Sequence, residues 1–183
     1  MNSLYNISIQ LYVIAIRFAA LFNAKAKLWV NGKKNIFQKI EEVTKGEQNI
    51  VWFHCASLGE FEQGKPIIEG YKQKYPSHKI LLTFFSPSGF EIRKNYEGVD
   101  WVFYLPADTK SNAKKFISIV KPIKVIFIKY EFWFNYMAEL KKQNISFYSV
   151  SAIFRDGQAF FKYNWFANQL KNITHFFVQD KTS

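Results

Sequence analysis

The sequence predicts an α/β protein built on a doubly wound parallel sheet. Three observations carry that expectation. From Asn49 onward, short apolar runs alternate with amphipathic segments. Runs such as Val125-Ile126-Phe127-Ile128 are apolar without interruption, as strands covered on both faces require. The connectors are short, so successive strands return beside one another through right-handed crossovers.

The elements follow in order. Leu4 to Phe22 is mostly apolar, and Lys25, Lys27, Lys33 and Lys34 come after it. A secretory signal carries its positive charge ahead of the apolar run, so this segment does not match one. Its length is marginal for crossing a bilayer. Asn6, Gln10 and Arg17 fall on one helical face, which favours an amphipathic helix in the membrane interface with the lysines on anionic headgroups. The alternative is a helix packed on its own domain or on a missing one. Residues 23–48 form a basic connector, helical around Ile36 to Val43, and residues 49–183 form the sheet domain.

Strands are expected at Ile50 to His54, Lys79 to Phe85, Trp101 to Leu105, Val125 to Lys129, Ser146 to Ser151 and His175 to Gln179. Helices are expected at Phe61 to Tyr75, burying Ile67, Ile68, Tyr71 and Tyr75, and at Ser88 to Asn95. Further helices span Ser111 to Val120, stopped by Pro122, then Phe132 to Lys142 and Phe160 to Leu170. Asp180-Lys181-Thr182-Ser183 has the character of a helix start, as if the chain were cut in mid-fold.

Composition narrows the function. The 183 residues carry 25 Lys plus Arg against 14 Asp plus Glu, a formal charge of +11, which points to anionic partners. Aromatics at core periods and basic residues spread over helix surfaces argue against nucleic acid. One cysteine, Cys55, rules out an internal disulfide framework. His54, His78 and His175 are scattered, so no metal site is expected. Neither a dinucleotide fingerprint nor a phosphate loop is present, and no cofactor is expected.

Ligand crevices in such sheets lie beyond the carboxyl ends of the strands. Glu60 sits at one such end, beside Ser57 and Gly59. Taken alone, that carboxylate is explained as well by the helix macrodipole as by catalysis. Glu131 has the same ambiguity, but two carboxylates on neighbouring strand ends would tune each other's protons. They share one crevice if the fourth strand lies beside the first. Ser86, Ser88 and Gly89 end the second strand, where they suit either a phosphate or sugar contact or an ordinary cap. His54 reads as a satisfied strand-end histidine and Cys55 as a small buried residue.

Five segments in order resemble those of one family: Trp29-Val30-Asn31-Gly32-Lys33; His54 to Glu60, similar to H-x-x-S-x-G-E; Phe85 to Gly89, similar to T-x-P-T-G; Tyr104-Leu105-Pro106; and Glu131-Phe132-Trp133-Phe134-Asn135, similar to E-[LI]-W-P-N. The family is the transferases of 3-deoxy-D-manno-octulosonic acid (Kdo). The resemblance implies the amino-terminal half of a GT-B glycosyltransferase, in which two Rossmann-like domains face each other across a cleft. It implies inverting, metal-independent transfer of Kdo from CMP-Kdo to a lipid A precursor, at the cytoplasmic face of the inner membrane, in lipopolysaccharide biosynthesis. Glu60 takes the position of the general base and Glu131 that of a second carboxylate, two negative groups near an oxocarbenium-like centre. CMP-Kdo would be held mainly by a carboxyl-terminal domain outside these residues, so the 183 residues alone are expected to be inactive. Lys129 stands where an acidic residue is common and would contact an acceptor phosphate. Arg155 is an anion contact by a looser match, and Phe134 replaces a proline. A non-catalytic basic module and another GT-B transferase with a lipid acceptor are the competing readings.

Overall fold

The computed structural model describes residues 2–129, 131–155, 158, 162 and 164–180. Three helices come first: α1 (Asn2–Ala19), α2 (Ala24–Gly32) and α3 (Ile36–Thr44). The sheet domain then runs β1 (Ile50–Cys55), α4 (Leu58–Lys74), β2 (Lys79–Phe84), α5 (Pro87–Arg93), β3 (Trp101–Tyr104), α6 (Lys110–Val120) and β4 (Lys124–Ile128). It continues through α7 (Phe134–Lys142), β5 (Ser146–Ala152), α8 (Asn164–Leu170) and β6 (His175–Val178). The start of the helix expected from Phe160, and the one expected after Asp180, lie outside the described residues.

The six strands are all parallel, in the order β3-β2-β1-β4-β5-β6. The chain winds outward from β1 to β3, then starts again on the other side of β1 with β4. That reversal puts the crevice of the sheet between the carboxyl ends of β1 and β4.

Each face of the sheet has its own core. Trp52, Leu81, Val125 and Phe127 point to the side covered by α3, α6 and α7. Phe53, Leu82, Ile126 and Ile128 point to the side covered by α4, with Phe61 and Ile68. Adjacent residues such as Trp52 and Phe53 are therefore both fully buried, on opposite faces, which is why the strands read as unbroken apolar runs. Each such side chain stabilises the fold by about 1.5–3 kcal/mol. Trp52 sends its indole N–H to Thr83 Oγ1 at 2.7 Å, so its polar end is satisfied inside the core.

Two expectations change in the structure. The segment 23–48, expected as a connector helical around Ile36 to Val43, holds that helix as α3 and a second one, α2, before it, because Ala26, Trp29, Ile36 and Ile40 give both an apolar face. Tyr75 is not buried; at 37% exposed it ends α4 and stacks on His78. α1 turns an apolar side outward and a polar side, with Asn6, towards the domain. Asn6 turns towards the domain and accepts from Asn135 Nδ2 at 2.9 Å. Leu4, Ile7, Leu11, Ile14, Phe18 and Phe22 point outward, each at least 55% exposed. Polar groups on the inner side hold α1 in place: Tyr5 donates to Asp108, and Trp165 donates to Asn2 Oδ1 at 2.7 Å.

Candidate active site

β1 delivers Cys55-Ala56-Ser57 to the crevice, and α4 starts at Leu58, three residues earlier than the amphipathic pattern suggests. Glu60 is therefore in the first helical turn, where the macrodipole favours its negative form. Its Oε2 accepts the Ala56 backbone N–H at 2.5 Å, and the Ser57 amide also donates to it. The carboxylate folds back over its own turn in place of a side-chain cap, since the Ser57 hydroxyl makes none.

β4 pairs directly with β1, with His54 opposite Phe127. The residues after β4 consequently meet those after β1. Lys129 takes a left-handed backbone (φ 65°), donates its N–H to Val150 O at 2.6 Å and accepts from Ser149 Oγ through its carbonyl. The three residues 131–133 stay extended or irregular before α7 begins, which brings Glu131 against Glu60. The two carboxyl groups share a hydrogen bond.

The electrostatics of the pair are asymmetric. Burial raises the Glu60 carboxyl, while the Ala56 amide, the Lys129 ammonium, the Ser57 amide and the Glu131 carboxyl act in the opposite direction. Burial also raises Glu131, and the Glu60 charge adds to it, to about 7, with only Lys129 opposing. Like charges in one partly dry site cannot both ionise cheaply. The backbone amides select Glu60 as the ionised partner, and Glu131 keeps the shared proton. Just below about pH 7 the pair thus carries one negative charge, not the two that the resemblance implies.

The other expected residues divide. Gly59 lies in the open beside Glu60, and a Cβ built there meets nothing within 4 Å, so the approach is unobstructed. Ser86 belongs to the same rim: its N–H donates to Ala56 O at 2.8 Å, and its hydroxyl shares a hydrogen bond with Ser88 Oγ at 2.8 Å. Gly89 is buried, and a Cβ there would come within 2.3 Å of the Phe84 ring, so its lack of a side chain serves packing. Arg155 lies beyond the end of β5, exposed, with its backbone N–H on Gln158 Oε1. No contact brings it to the carboxylate pair among the described residues.

His54 is a buried spacer, as its place in the strand suggested. Its Nδ1 bonds Thr83, and its Nε2 accepts from Trp133 Nε1 at 3.2 Å. Burial lowers it to about 3, so the ring is neutral. The Cys55 thiol is also buried and is raised by burial.

Two neighbours of the site were not assigned to it from the sequence. Lys33 was expected on lipid headgroups, yet its Nζ is buried 3.4 Å from the Trp29 ring centroid and 4.6 Å from that of Phe85. Phe85 in turn packs at 4.6 Å on Trp133, so an aromatic wall links this lysine to the Glu131 segment. The Trp29-Val30-Asn31-Gly32-Lys33 segment was the available signal, because a spacing of four brings Lys33, which follows the last residue of α2, over Trp29. The second neighbour is Asp108, 1% exposed, which accepts from Asn135 N and Tyr136 N at 3.0 Å each. It caps α7 from a different loop and fixes where the Glu131 segment ends. Burial raises Asp108 to about 6.

Comparison with known proteins gives a consistent result. Residues 15–183 match the family described as 3-Deoxy-D-manno-octulosonic-acid transferase (kdotransferase). Among individual proteins, the chain is 36% identical over 101 residues to the 3-deoxy-D-manno-octulosonic acid transferase of Aquifex aeolicus, covering 55% of this chain and 27% of that one. It is 31% identical over 103 residues to that of Haemophilus influenzae, covering 56% and 24%. It is 29% identical over 129 residues to that of Chlamydia trachomatis serovar D, covering 69% and 29%. The matches thus span less than a third of the length of these relatives.

Proposed function

This chain belongs to the 3-deoxy-D-manno-octulosonic-acid transferase family, and we propose that it is the acceptor-binding, base-carrying domain of a glycosyltransferase moving Kdo from CMP-Kdo to a lipid A precursor. The observation that carries this reading is the proton-sharing Glu60–Glu131 pair at the topological switch point. Glu60, ionised and held by backbone amides, takes the proton of the acceptor hydroxyl as its oxygen bonds to the anomeric carbon of Kdo. The electron pair of the breaking bond departs with CMP, and attack from the opposite face inverts the centre. A weak base suffices because the hydroxyl becomes acidic only as the new bond forms.

Glu131, in this reading, is a hydrogen-bond donor that keeps Glu60 ionised and oriented. Lys129 steadies the pair and contacts anionic parts of the acceptor. No step is assigned to a metal. A second Rossmann-like domain of the GT-B kind would hold CMP-Kdo across the crevice. The outward apolar face of α1 rests in the membrane interface, on the cytoplasmic side of the inner membrane, where a lipid acceptor is at hand. No single helix among the described residues is long and apolar enough to cross a membrane, although α1 and α2, bent by 118°, pass that test together. A purely charge-driven binding module has no use for a buried carboxyl pair at the crevice.

The test is Glu60→Gln in the full-length protein, with CMP-Kdo and a lipid A precursor as substrates. The amide keeps the shape and cannot take a proton. Turnover should fall by about 10²–10⁴ while acceptor affinity is kept. Turnover within a few-fold of wild type would remove Glu60 from the mechanism.

A further inference from the structure

A cavity of about 910 Å³ lies where α1, the corner between α2 and α3, and the start of α6 meet. It is separate from the carboxylate pair, since none of its lining residues comes from the loops after β1 or β4. Its wall carries Arg17, Lys33, Lys34 and Lys115, with no Asp or Glu. Among the described residues, Arg17, Lys34 and Lys115 make no ion pair. The Lys33 Nζ has no hydrogen-bond partner among the described residues. Burial pushes Lys33 well below the usual lysine range, so the charge here is that of Arg17, Lys34 and Lys115, three cations without a counter-charge that concentrate anions.

The neutral groups add direction. α6, eleven residues long and capped by Thr109, begins at this wall, with Ser111 beside the cap. Its positive dipole end and hydroxyls suit phosphate oxygens. Beside Arg17, on the same face of α1, the lining is apolar, with Val13 and Ile14. Ile14 is 61% exposed and also belongs to the outward stripe of that helix. The cationic wall therefore opens onto a hydrophobic surface, which a free inorganic anion would not use.

We propose that this cavity binds the phosphate group of an amphiphile, with Arg17, Lys34 and Lys115 on the phosphate and the Val13–Ile14 side of α1 against the start of the hydrocarbon chain. For the identity of the natural ligand, this rests on the reading that the acceptor is a phosphorylated lipid. The site would grip that acceptor away from the reacting hydroxyl.

The experiment is calorimetric titration of the chain at low salt with dihexanoyl phosphatidic acid below its micelle concentration, inorganic phosphate and dihexanoyl phosphatidylcholine. Phosphatidic acid should bind at least roughly tenfold tighter than either of the others, since only it offers both the dianionic phosphate and the chain. Arg17→Ala with Lys34→Ala should weaken it by roughly tenfold or more, and Ile14→Asn should weaken phosphatidic acid but not inorganic phosphate. These residues lie at the surface, and an unchanged thermal midpoint would show that the variants fold. Equal binding of phosphatidic acid and phosphatidylcholine, or no effect of the double variant, overturns the proposal. Inorganic phosphate binding as tightly as phosphatidic acid also overturns it, because the chain would then contribute nothing. Glu60→Gln should bind phosphatidic acid as wild type does. In the full-length protein, undiminished Kdo transfer by Glu60→Gln with this binding intact would count against the catalytic reading alone; absence of phosphatidic acid binding with wild-type transfer intact would count against the cavity alone.

Discussion

Asp108 and Glu131 show how a single carboxyl group can be shifted by where the chain puts it. Both are raised chiefly by burial, yet they differ in partners. Asp108 accepts from Tyr5 and two α7 amides, whereas Glu131 faces another carboxylate. Folded Asp108 titrates at about 6, above its ordinary value of roughly 3.9. The folded state therefore binds that proton more tightly than the unfolded chain does. The stabilisation is fully present below about pH 4 and is lost as pH rises through about 6. The difference is on the order of 2–3 kcal/mol. Denaturant midpoints measured from pH 4 to 8 should fall with rising pH, and Asp108→Asn should flatten much of that slope. An identical slope in the variant would place the titration elsewhere. Asp108 could be seen in the sequence only as a turn residue before a helix. Its role needed the β3–α6 loop to approach the start of α7, a contact between residues 27 and 28 positions apart.

At the level of elements, α4 contrasts a glycine that packs with glycines that do not. A Cβ at Gly64 would lie 2.6 Å from Ile128 Cγ1, where the helix presses on β4. One at Gly70 would meet nothing within 4 Å. Gly64→Ala should destabilise the protein by about 1–3 kcal/mol through overpacking. Gly70→Ala should stabilise it by about 0.5–1 kcal/mol, because the helix loses less backbone entropy on folding. Thermal unfolding of both variants checks the pair, and equal effects would mean that α4 does not sit on Ile128 as described. In sequence the two positions look alike, each a glycine among polar residues of an amphipathic helix. The helix itself was legible. Its start was placed late, because Leu58, Gly59 and Glu60 carry no apolar periodicity, and the turn is held instead by Glu60 folding back on Ala56.

The whole molecule is a sheet domain with a helix strapped to it by hydrogen bonds and by the Tyr5 and Tyr12 rings, its apolar side outward. Deleting residues 1–22 would remove Tyr5 from the buried Asp108, so loss of membrane binding in such a deletion would be confounded by unfolding. Leu11→Asn with Phe18→Asn alters only the outer stripe. It should leave the unfolding free energy within about 0.5 kcal/mol of wild type. Flotation with anionic vesicles should drop sharply, and wild-type flotation should weaken with added salt. Undiminished flotation of the double variant would take α1 out of the membrane interface.

The sequence by itself determined the sheet, its strands and the family, since unbroken apolar runs, short connectors and the spaced motifs are local properties of the chain. It also picked out Glu60 and Glu131, because strand ends are where such folds keep their polar groups. That these two share a proton was decided by the tertiary structure. The pairing of β1 with β4 closes the distance, and burial beside a second carboxylate sets the charge. The same holds for Lys33, drawn from the expected headgroups into an aromatic cage, and for α1, whose outward face follows from which of its sides finds hydrogen-bond partners. Those outcomes depend on dielectric surroundings and on contacts between distant residues, which appear only once the chain has packed.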